Sequence, residues 1–230
     1  QFSTHTDELY TRIVFVRHGR TDGNTNGEMA DHSPKPLNTV GRAQIEKAAA
    51  RIARQFKPDI LLSSPLPRAW QSAEIIAAGT GLKPIPQPLL AEFHFGKIAG
   101  LTLPEIKQIF PDHYNAYIQW VEAEDQPSLA RPEYPQGETF AQITRRVWEF
   151  TNYLKSKYLG KVCVAVSHGG FIKCALQVYT GGPFDRSVPY WIDNASITVV
   201  DFYKNTATLR LVNDTCQISE DLPYRHPSIL

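Results

Sequence analysis

Three groups of residues stand directly behind short apolar runs. Arg17-His18-Gly19 follows Arg12–Val16 (RIVFV), Ser63-Ser64 with Arg68 follows Ile60–Leu62, and His168-Gly169-Gly170 follows Lys161–Val166 (KVCVAV). Each run is short and apolar, the first of them β-branched and aromatic, which reads as a buried strand. Parallel strands would deliver the three groups to one sheet edge, beyond the carboxyl ends where α/β sheets bind ligands. That edge would hold two arginines, two histidines and several small polar residues, with little acid among them. Such a set suits a tetrahedral oxyanion. Arginine's planar fork matches phosphate oxygens two at a time, and loop amides or a helix N-terminus add further donors.

Arg68 carries a separate signal, because a cation in the first turn of a helix opposes the helix macrodipole and an anion bound nearby would reverse that cost. Alone, such an arginine reads as a solvent-facing side chain; its convergence with the two histidine groups favours the anion site. His94, Asp112, His113 and His168 lack any metal-ligand spacing such as H-E-x-x-H, so no metal site is expected.

The positioning elements follow from periodicity. Ile45, Ala49, Ile52 and Phe56 recur at helical spacing behind Asn38 or Thr39 as N-cap, and Pro58 closes that helix. A second helix is predicted from about Leu66 to Ala78, ended by Gly79 and Gly81. Thr139 with Gln142 resembles a capping box opening a helix to about Tyr158, and another helix runs from His168 to about Val178. Ser196–Tyr203 and Ala207–Val212 flank Lys204-Asn205 as a hairpin. From about Lys83 to Gly137 the pattern loosens, with the cap itself at about Phe93 to Gly137. Prolines, aromatics and short helices at Leu103–Phe110 and His113–Ala123 mark a cap-like insertion, with Tyr114, Tyr117 and Trp120 packing inside it and Trp148 and Phe150 packing likewise in the following helix. Strands alternating with helices predict one α/β domain over residues 1–230, a three-layer sandwich whose mostly parallel sheet is flanked by helices.

The 230 residues are 42% hydrophobic, enough to bury a sizeable core, and 24 basic against 23 acidic side chains leave a formal charge of +1. No general positive field draws nucleic acid or anionic lipid, so neither is an expected partner. No apolar stretch approaches the roughly 20 residues a membrane span needs. The three cysteines, Cys163, Cys174 and Cys216, do not suggest a disulfide framework and fit a reducing compartment, so the cytoplasm is the expected address. Gln1 in place of Met leaves a removed leader open, and the sequons at Asn194 and Asn213 are compatible with secretion.

Six blocks, in order, resemble the histidine phosphatase superfamily, the phosphoglycerate mutase-like proteins. Arg17–Asn24 (RHGRTDGN) is similar to R-H-G-x-T-x-x-N, Leu37–Gln44 to L-T-x-x-G-x-x-Q, and Ser63–Ala73 (SSPLPRAWQSA) to S-x-L-x-R-A-x-Q-T-A. Glu92 with Gly96 and Gly100 resembles E-x-x-x-G-x-x-x-G, Pro135–Thr139 (PQGET) resembles P-x-G-E-S, and Ser167–Gly170 resembles S-H-G-G. The resemblance implies a phosphoglycerate mutase-like fold and a metal-independent phosphoric monoester hydrolase of the histidine acid phosphatase type, requiring no cofactor. It implies His18 as the nucleophile that forms a phosphohistidine, Glu92 as proton donor and then base, and Arg17, Asn24, Arg68 and His168 as the phosphate clamp. Thr25 and the backbone N–H of Gly169 are auxiliary candidates.

The expected substrate is a small phosphorylated metabolite, with specificity set by the cap insertion. Lys97, His94, Arg131, Lys173 and Tyr190 are further contact candidates, each also readable as an ordinary surface or packing residue. Two alternatives stand beside the phosphatase. A cofactor-dependent phosphoglycerate mutase shares the chemistry, but such relatives commonly carry E-R-H-Y-G where this chain has Glu92-Phe93-His94-Phe95-Gly96, and they place an arginine pair before a proline-rich turn in the cap. Here the adjacent pair, Arg145-Arg146, falls in a predicted helix, while Lys97 supports the mutase reading. A non-catalytic phosphate-binding protein is the other alternative, although every expected catalytic position is filled. The exposed edge of the late hairpin is a candidate surface for a homodimer.

Overall fold

In a computed structural model, the described residues are 9–123, 131–182, 190–204 and 206–218. Six strands form one sheet: β1 (Thr11–Arg17), β2 (Ile60–Ser63), β3 (Pro84–Pro86), β4 (Val162–Ser167), β5 (Ile197–Phe202) and β6 (Ala207–Asp214), in the order β3-β2-β4-β1-β5-β6. The first four strands run parallel, and β5 and β6 are added antiparallel beside β1. The predicted hairpin is therefore present, although Asn205 of its turn lies outside the described residues.

Alternation along the strands explains the three layers. Ile13 and Phe15 of β1 join a core cluster with Phe150, Phe171 and Leu176, while Val14 and Val16 join a second cluster with Ile45, Ile52, Ala73 and Ile76. Both faces are apolar because both are covered. Helices α2 (Thr39–Gln55) and α3 (Pro67–Thr80) cover one face; α6 (Phe140–Lys157) and α7 (Gly169–Tyr179) cover the other. Asn38 caps α2 by accepting from Gly41 N, the Thr139–Gln142 capping box opens α6, and Gly81 at φ 74° ends α3 in the left-handed conformation that glycine tolerates.

Three features depart from the sequence reading. Asp22–Asn26, a polar run for which no element is expected, forms the short helix α1 with Thr21 and Asn24 as its own capping box. β3 arises between two prolines that argue against a strand. It is tolerated because it lies at the sheet edge, where a missing N–H costs nothing in the ladder. Trp148 is 49% exposed, so it is not a packing residue, whereas Phe150 on the inner face is fully buried. In the cap-like segment, α4 (Leu103–Ile109) and α5 (Pro111–Glu122) stand where two short helices were expected. Its Phe93, Phe95, Ile98, Ile106 and Tyr134 share the core cluster of the sheet face covered by α6 and α7, and Trp120 is buried.

Candidate active site

Parallel register brings the strand exits together. Arg17 pairs with Ser167 and Ser63 with Val166, and beyond them His18 N donates to Ser167 O (3.0 Å) and Ser64 N to Val166 O (2.9 Å). His18, Ser64 and His168 thus leave the sheet at one edge. The turn after His18 is pressed against the start of α2. A Cβ on Gly19 would lie 2.3 Å from Gly41 O, and one on Gly41 would lie 2.1 Å from Arg20 O, so neither position admits a side chain. Gly19 N also donates to Ser72 Oγ of α3 at 3.2 Å, which anchors the turn from a second helix.

His18 is 2% exposed, and its Nδ1 lies 2.7 Å from Gly19 O. A carbonyl only accepts, so Nδ1 carries the proton and Nε2 presents its lone pair. That Nε2 receives a hydrogen bond from Arg68 Nε at 3.2 Å. Burial first, then the charges of Arg68 and Arg17, push His18 well below the usual histidine range. The imidazole is neutral at physiological pH, the state in which it is nucleophilic.

Arg68 is fully buried and does not point to solvent. Its guanidinium donates to Asp31 O (2.6 Å), Ala30 O (3.2 Å) and Ser33 O (3.3 Å) as well as to His18, which draws the 30–33 loop over the site. Burial lowers its pKa to about 10, against the opposing charge of Glu92, so it remains a cation. Arg17 reaches Ile192 O at 2.5 Å with Nη1, and its Nε is buried without a partner among the described residues. Burial lowers the Arg17 pKa too, with Glu92 and Asp193 opposing that fall. His168 lies with its ring centroid 5.0 Å from that of His18, and its Nε2 shares a 2.8 Å hydrogen bond with Ser64 Oγ. His168 Nδ1 is likewise buried without a partner among the described residues. Burial, with Arg68 and His18 next, holds His168 well below its usual range.

Glu92 is 6% exposed. Its Oε1 accepts from Phe93 N (3.0 Å) and Phe171 N (3.1 Å), and its Oε2 accepts from Gly170 N (3.1 Å), so the carboxylate sits on the first turn of α7 where the helix dipole favours an anion. A Cβ on Gly170 would approach Glu92 Oε1 to 2.5 Å, which explains glycine at that position. Gly169 abuts the Arg17 guanidinium, where a Cβ would lie 3.2 Å from Nε.

The remaining candidates divide. Asn24 lies beside the group, with Oδ1 accepting from Thr21 and from Asn194 Nδ2 (3.2 Å), which leaves its NH₂ to donate. Thr25 is exposed and its hydroxyl donates to Thr21 O, so it is not brought into the buried cluster. Lys97 and His94 are exposed. Lys173, on α7, stacks over Trp191, and burial lowers its pKa to about 8. Arg131 lies over the rings of Tyr117, Trp120, Tyr134 and Phe140, and Tyr190 OH meets Thr180 at 3.5 Å. Arg145 pairs with exposed Glu149 and Arg146 with Glu138, while Phe93 and Phe95 are core residues. Among the described residues no group of three or more His, Cys, Asp or Glu could hold a metal ion, and no helix is long and apolar enough to cross a membrane.

Sequence reading missed Asn194, whose Nδ2 donates to His18 O (3.0 Å) as well as to Asn24. Its sequon drew attention instead, yet that amide is engaged inside the protein. The Asn213 amide is also engaged, with Asp193 at 2.7 and 2.9 Å. Ser64 was noted only as one of a polar pair, and His32, whose Nε2 donates to Glu92 O (2.9 Å), carried no signal.

Residues 13–215 match the sequence profile of the histidine phosphatase superfamily (branch 1). Phosphoglycerate mutase-like protein 4 of Arabidopsis thaliana is 33% identical over 93% of this chain and 90% of its own length. Metal-independent phosphoserine phosphatase of Arabidopsis thaliana is also 33% identical, over 83% of this chain and 76% of its own. The solved structure of mycobacterial glucosyl-3-phosphoglycerate phosphatase Rv2419c with VO₃ superimposes with a TM-score of 0.74 at 26% identity, covering 88% of this chain and 98% of that one. Against three mycobacterial relatives the chain spans about half their length, 54%.

Proposed function

The chain belongs to the histidine phosphatase superfamily, and we propose that it hydrolyses phosphate monoesters of small metabolites, without a metal, through a phosphohistidine on His18. The observation that carries this reading is the neutral, Nδ1-protonated His18, whose Nε2 faces Arg68 inside a buried cationic pocket. In the first step His18 Nε2 attacks phosphorus, the P–N bond forms, the P–O bond to the leaving group breaks, and the Glu92 carboxyl gives its proton to the departing oxygen. In the second step water attacks phosphorus, the P–N bond breaks, and Glu92, now a carboxylate, takes the water proton. Oε2 of Glu92 accepts one amide only, so a lone pair remains for that proton. Arg17, Arg68, Asn24 and His168 hold the equatorial oxygens, where charge gathers in the transition state. The hydrogen bonds from Gly170 N and Phe171 N to the Glu92 carboxyl, from the helix turn that follows His168, support its place beside this pocket.

The engagement of Arg146 with Glu138, and the burial of Phe93 and Phe95, favour hydrolysis over mutase chemistry, because the groups compared with mutase arginines and tyrosine serve the fold instead. The phosphatase names of relatives support the same choice. The free thiols Cys163, Cys174 and Cys216 agree with a cytoplasmic address, and β6 as an outer strand is the surface proposed for a homodimer, to be checked by light scattering. We read residues 1–230 as one domain with its cap insertion at about 93–137.

The test is hydrolysis of p-nitrophenyl phosphate in EDTA by wild type and His18→Ala. Activity that survives chelation and vanishes in the folded variant is expected; loss in EDTA, or a variant as active as wild type, refutes the mechanism. Conversion of 3-phosphoglycerate to 2-phosphoglycerate after priming with 2,3-bisphosphoglycerate would replace hydrolysis with the mutase reading.

A further inference from the structure

The loop that ends at Glu92 is fixed from behind by one ion pair. Arg146, on the inner side of α6, takes both carboxylate oxygens of Glu138 with Nε (2.9 Å) and Nη2 (2.7 Å). The rest of the fork points at three carbonyls of the Glu92 loop: Nη1 donates to Leu89 O (3.0 Å) and Ala91 O (2.5 Å), and Nη2 lies 3.5 Å from Glu92 O. The partners are largely enclosed, at 15% and 18% exposure, and the guanidinium lies over the rings of Phe93 and Phe171 at 5.9 and 5.4 Å. Glu138 closes the other side of the loop by donating its own N–H to His94 O (2.7 Å).

We propose that Arg146 and Glu138 are a positioning pair for proton transfer: they set the backbone at Glu92 so that its carboxyl stands where the leaving oxygen departs. The inference rests on the reading of Glu92 as proton carrier. A proton moves efficiently only when donor and acceptor sit within hydrogen-bond reach, and an error of an ångström costs rate. Glu92 reaches the pocket from a loop, so its precision has to come from what holds that loop. Its carboxylate is fixed to the amides of α7, and its backbone is held by Arg146 at Leu89 O and Ala91 O together with His32 Nε2 on Glu92 O (2.9 Å) and Ser167 Oγ on Leu90 O (2.7 Å). A bidentate guanidinium with N–H groups left over can do this; the ammonium of lysine cannot hold a carboxylate and two carbonyls in one plane. Glu138 also cancels the Arg146 charge, so the fork supplies geometry beside Glu92 with little net field. A cavity of about 470 Å³ lined by His32, Glu92, His94, Glu138 and Arg146 among others touches none of Arg17, His18, Arg68 or His168, so the pair stands on the far side of Glu92 from the phosphate cluster.

Leaving-group dependence separates positioning from general damage. For wild type, kcat/KM is measured over aryl and alkyl phosphates of rising leaving-group pKa, beside Glu92→Gln, Arg146→Met, Arg146→Lys and Glu138→Gln. A poor leaving group needs the proton and p-nitrophenolate does not, so Glu92→Gln steepens the dependence. Arg146→Met and Glu138→Gln are expected to steepen it in the same sense, with alkyl phosphates falling at least about tenfold further than p-nitrophenyl phosphate, and Arg146→Lys falling between. An equal fall on every substrate, or no change, in folded Arg146 and Glu138 variants overturns the proposal while leaving Glu92 its role. If Glu92→Gln itself leaves the dependence unchanged, the proton-carrier reading fails and the positioning role falls with it. Glu138→Gln, which preserves shape, carries the test should Arg146→Met not fold.

Discussion

Arg68 Nε donates to His18 Nε2 across 3.2 Å, so the lone pair assigned to attack phosphorus is held by the cation assigned to the phosphate. The contact requires the Nδ1–H tautomer that Gly19 O selects, and it keeps the imidazole from taking a solvent proton. An incoming phosphoryl group would take Arg68 from His18 and free the lone pair in the same movement. Nitrogen-15 NMR of the free enzyme is expected to show His18 protonated on Nδ1 with Nε2 an acceptor at neutral pH. A dominant Nε2–H tautomer would remove the nucleophile from this geometry.

Arg68→Lys keeps the charge and loses the fork. Lysine cannot serve His18, the 30–33 carbonyls and a phosphate oxygen together. Activity should fall by roughly 10²–10³-fold, the range found when one preorganised donor to a developing charge is removed. Inorganic phosphate titrated calorimetrically into the folded variant should bind more weakly than to wild type; unaltered binding and turnover would show that Arg68 serves only the 30–33 loop.

The two buried histidines predict acid sensitivity. Both are depressed in the fold, so between their folded values and about 6.5, the unperturbed value, the unfolded chain binds protons that the native state does not. Stability therefore rises with pH through that window and gains nothing further from these groups above it. Each histidine contributes a slope of up to about 1.4 kcal/mol per pH unit. Urea unfolding at pH 5.5 and 7.5 should show the loss on acidification, and His168→Asn should reduce it. Equal pH dependence in wild type and variant would mean that His168 is not held neutral by the fold.

The geometry of the candidate site was legible where local pattern fixes it. The runs RIVFV and KVCVAV declare strands, and whatever follows a parallel strand must appear at its carboxyl edge, so Arg17, His18 and His168 could be placed together from sequence. Arg68 was legible as a misplaced charge. Asn194 was not, because it acts through two hydrogen bonds across 176 and 170 positions of chain and no local spacing records that. Arg146 was hidden for the opposite reason: an arginine beside another arginine in an amphipathic helix reads as solvated surface, which is true of Arg145 and false one residue later. The β3 edge and α1 were invisible because prolines and a polar run oppose what tertiary context allows.

Asn194→Ala tests the cross-chain tie. Nδ2 joins His18 O to Asn24 Oδ1, so its loss loosens the tie between His18 and Asn24 while removing no group assigned to phosphate. The cost in stability should be about 0.5–1.5 kcal/mol, the net contribution of a hydrogen bond, because Ala195 N still serves His18 O and Thr21 still serves Asn24 Oδ1. A several-fold rise in KM for p-nitrophenyl phosphate is expected with it. Unchanged KM in a destabilised variant would make Asn194 a fold residue alone.

Phe150 tests whether the site depends on the core behind it. Its ring contacts Phe15 of β1 and Phe171 of α7 at centroid distances of 6.2 and 5.9 Å, so it joins the strand that presents His18 to the helix whose amides hold Glu92. It also lies one turn beyond Arg146 on α6. Phe150→Ala should cost about 3–5 kcal/mol through lost burial and the cavity left behind. Phe150→Leu, which keeps most of the volume, should cost less than half as much. The informative comparison is activity at a temperature where both variants remain folded. If β1, α6 and α7 move as one packed unit, Phe150→Ala lowers kcat/KM more for alkyl than for aryl phosphates, because the slack reaches Glu92 before it reaches His18, whose neighbour Gly19 is held by Gly41 and Ser72 from the other face of the sheet. Equal loss on both substrate classes would mean that the cavity loosens His18 as much as Glu92.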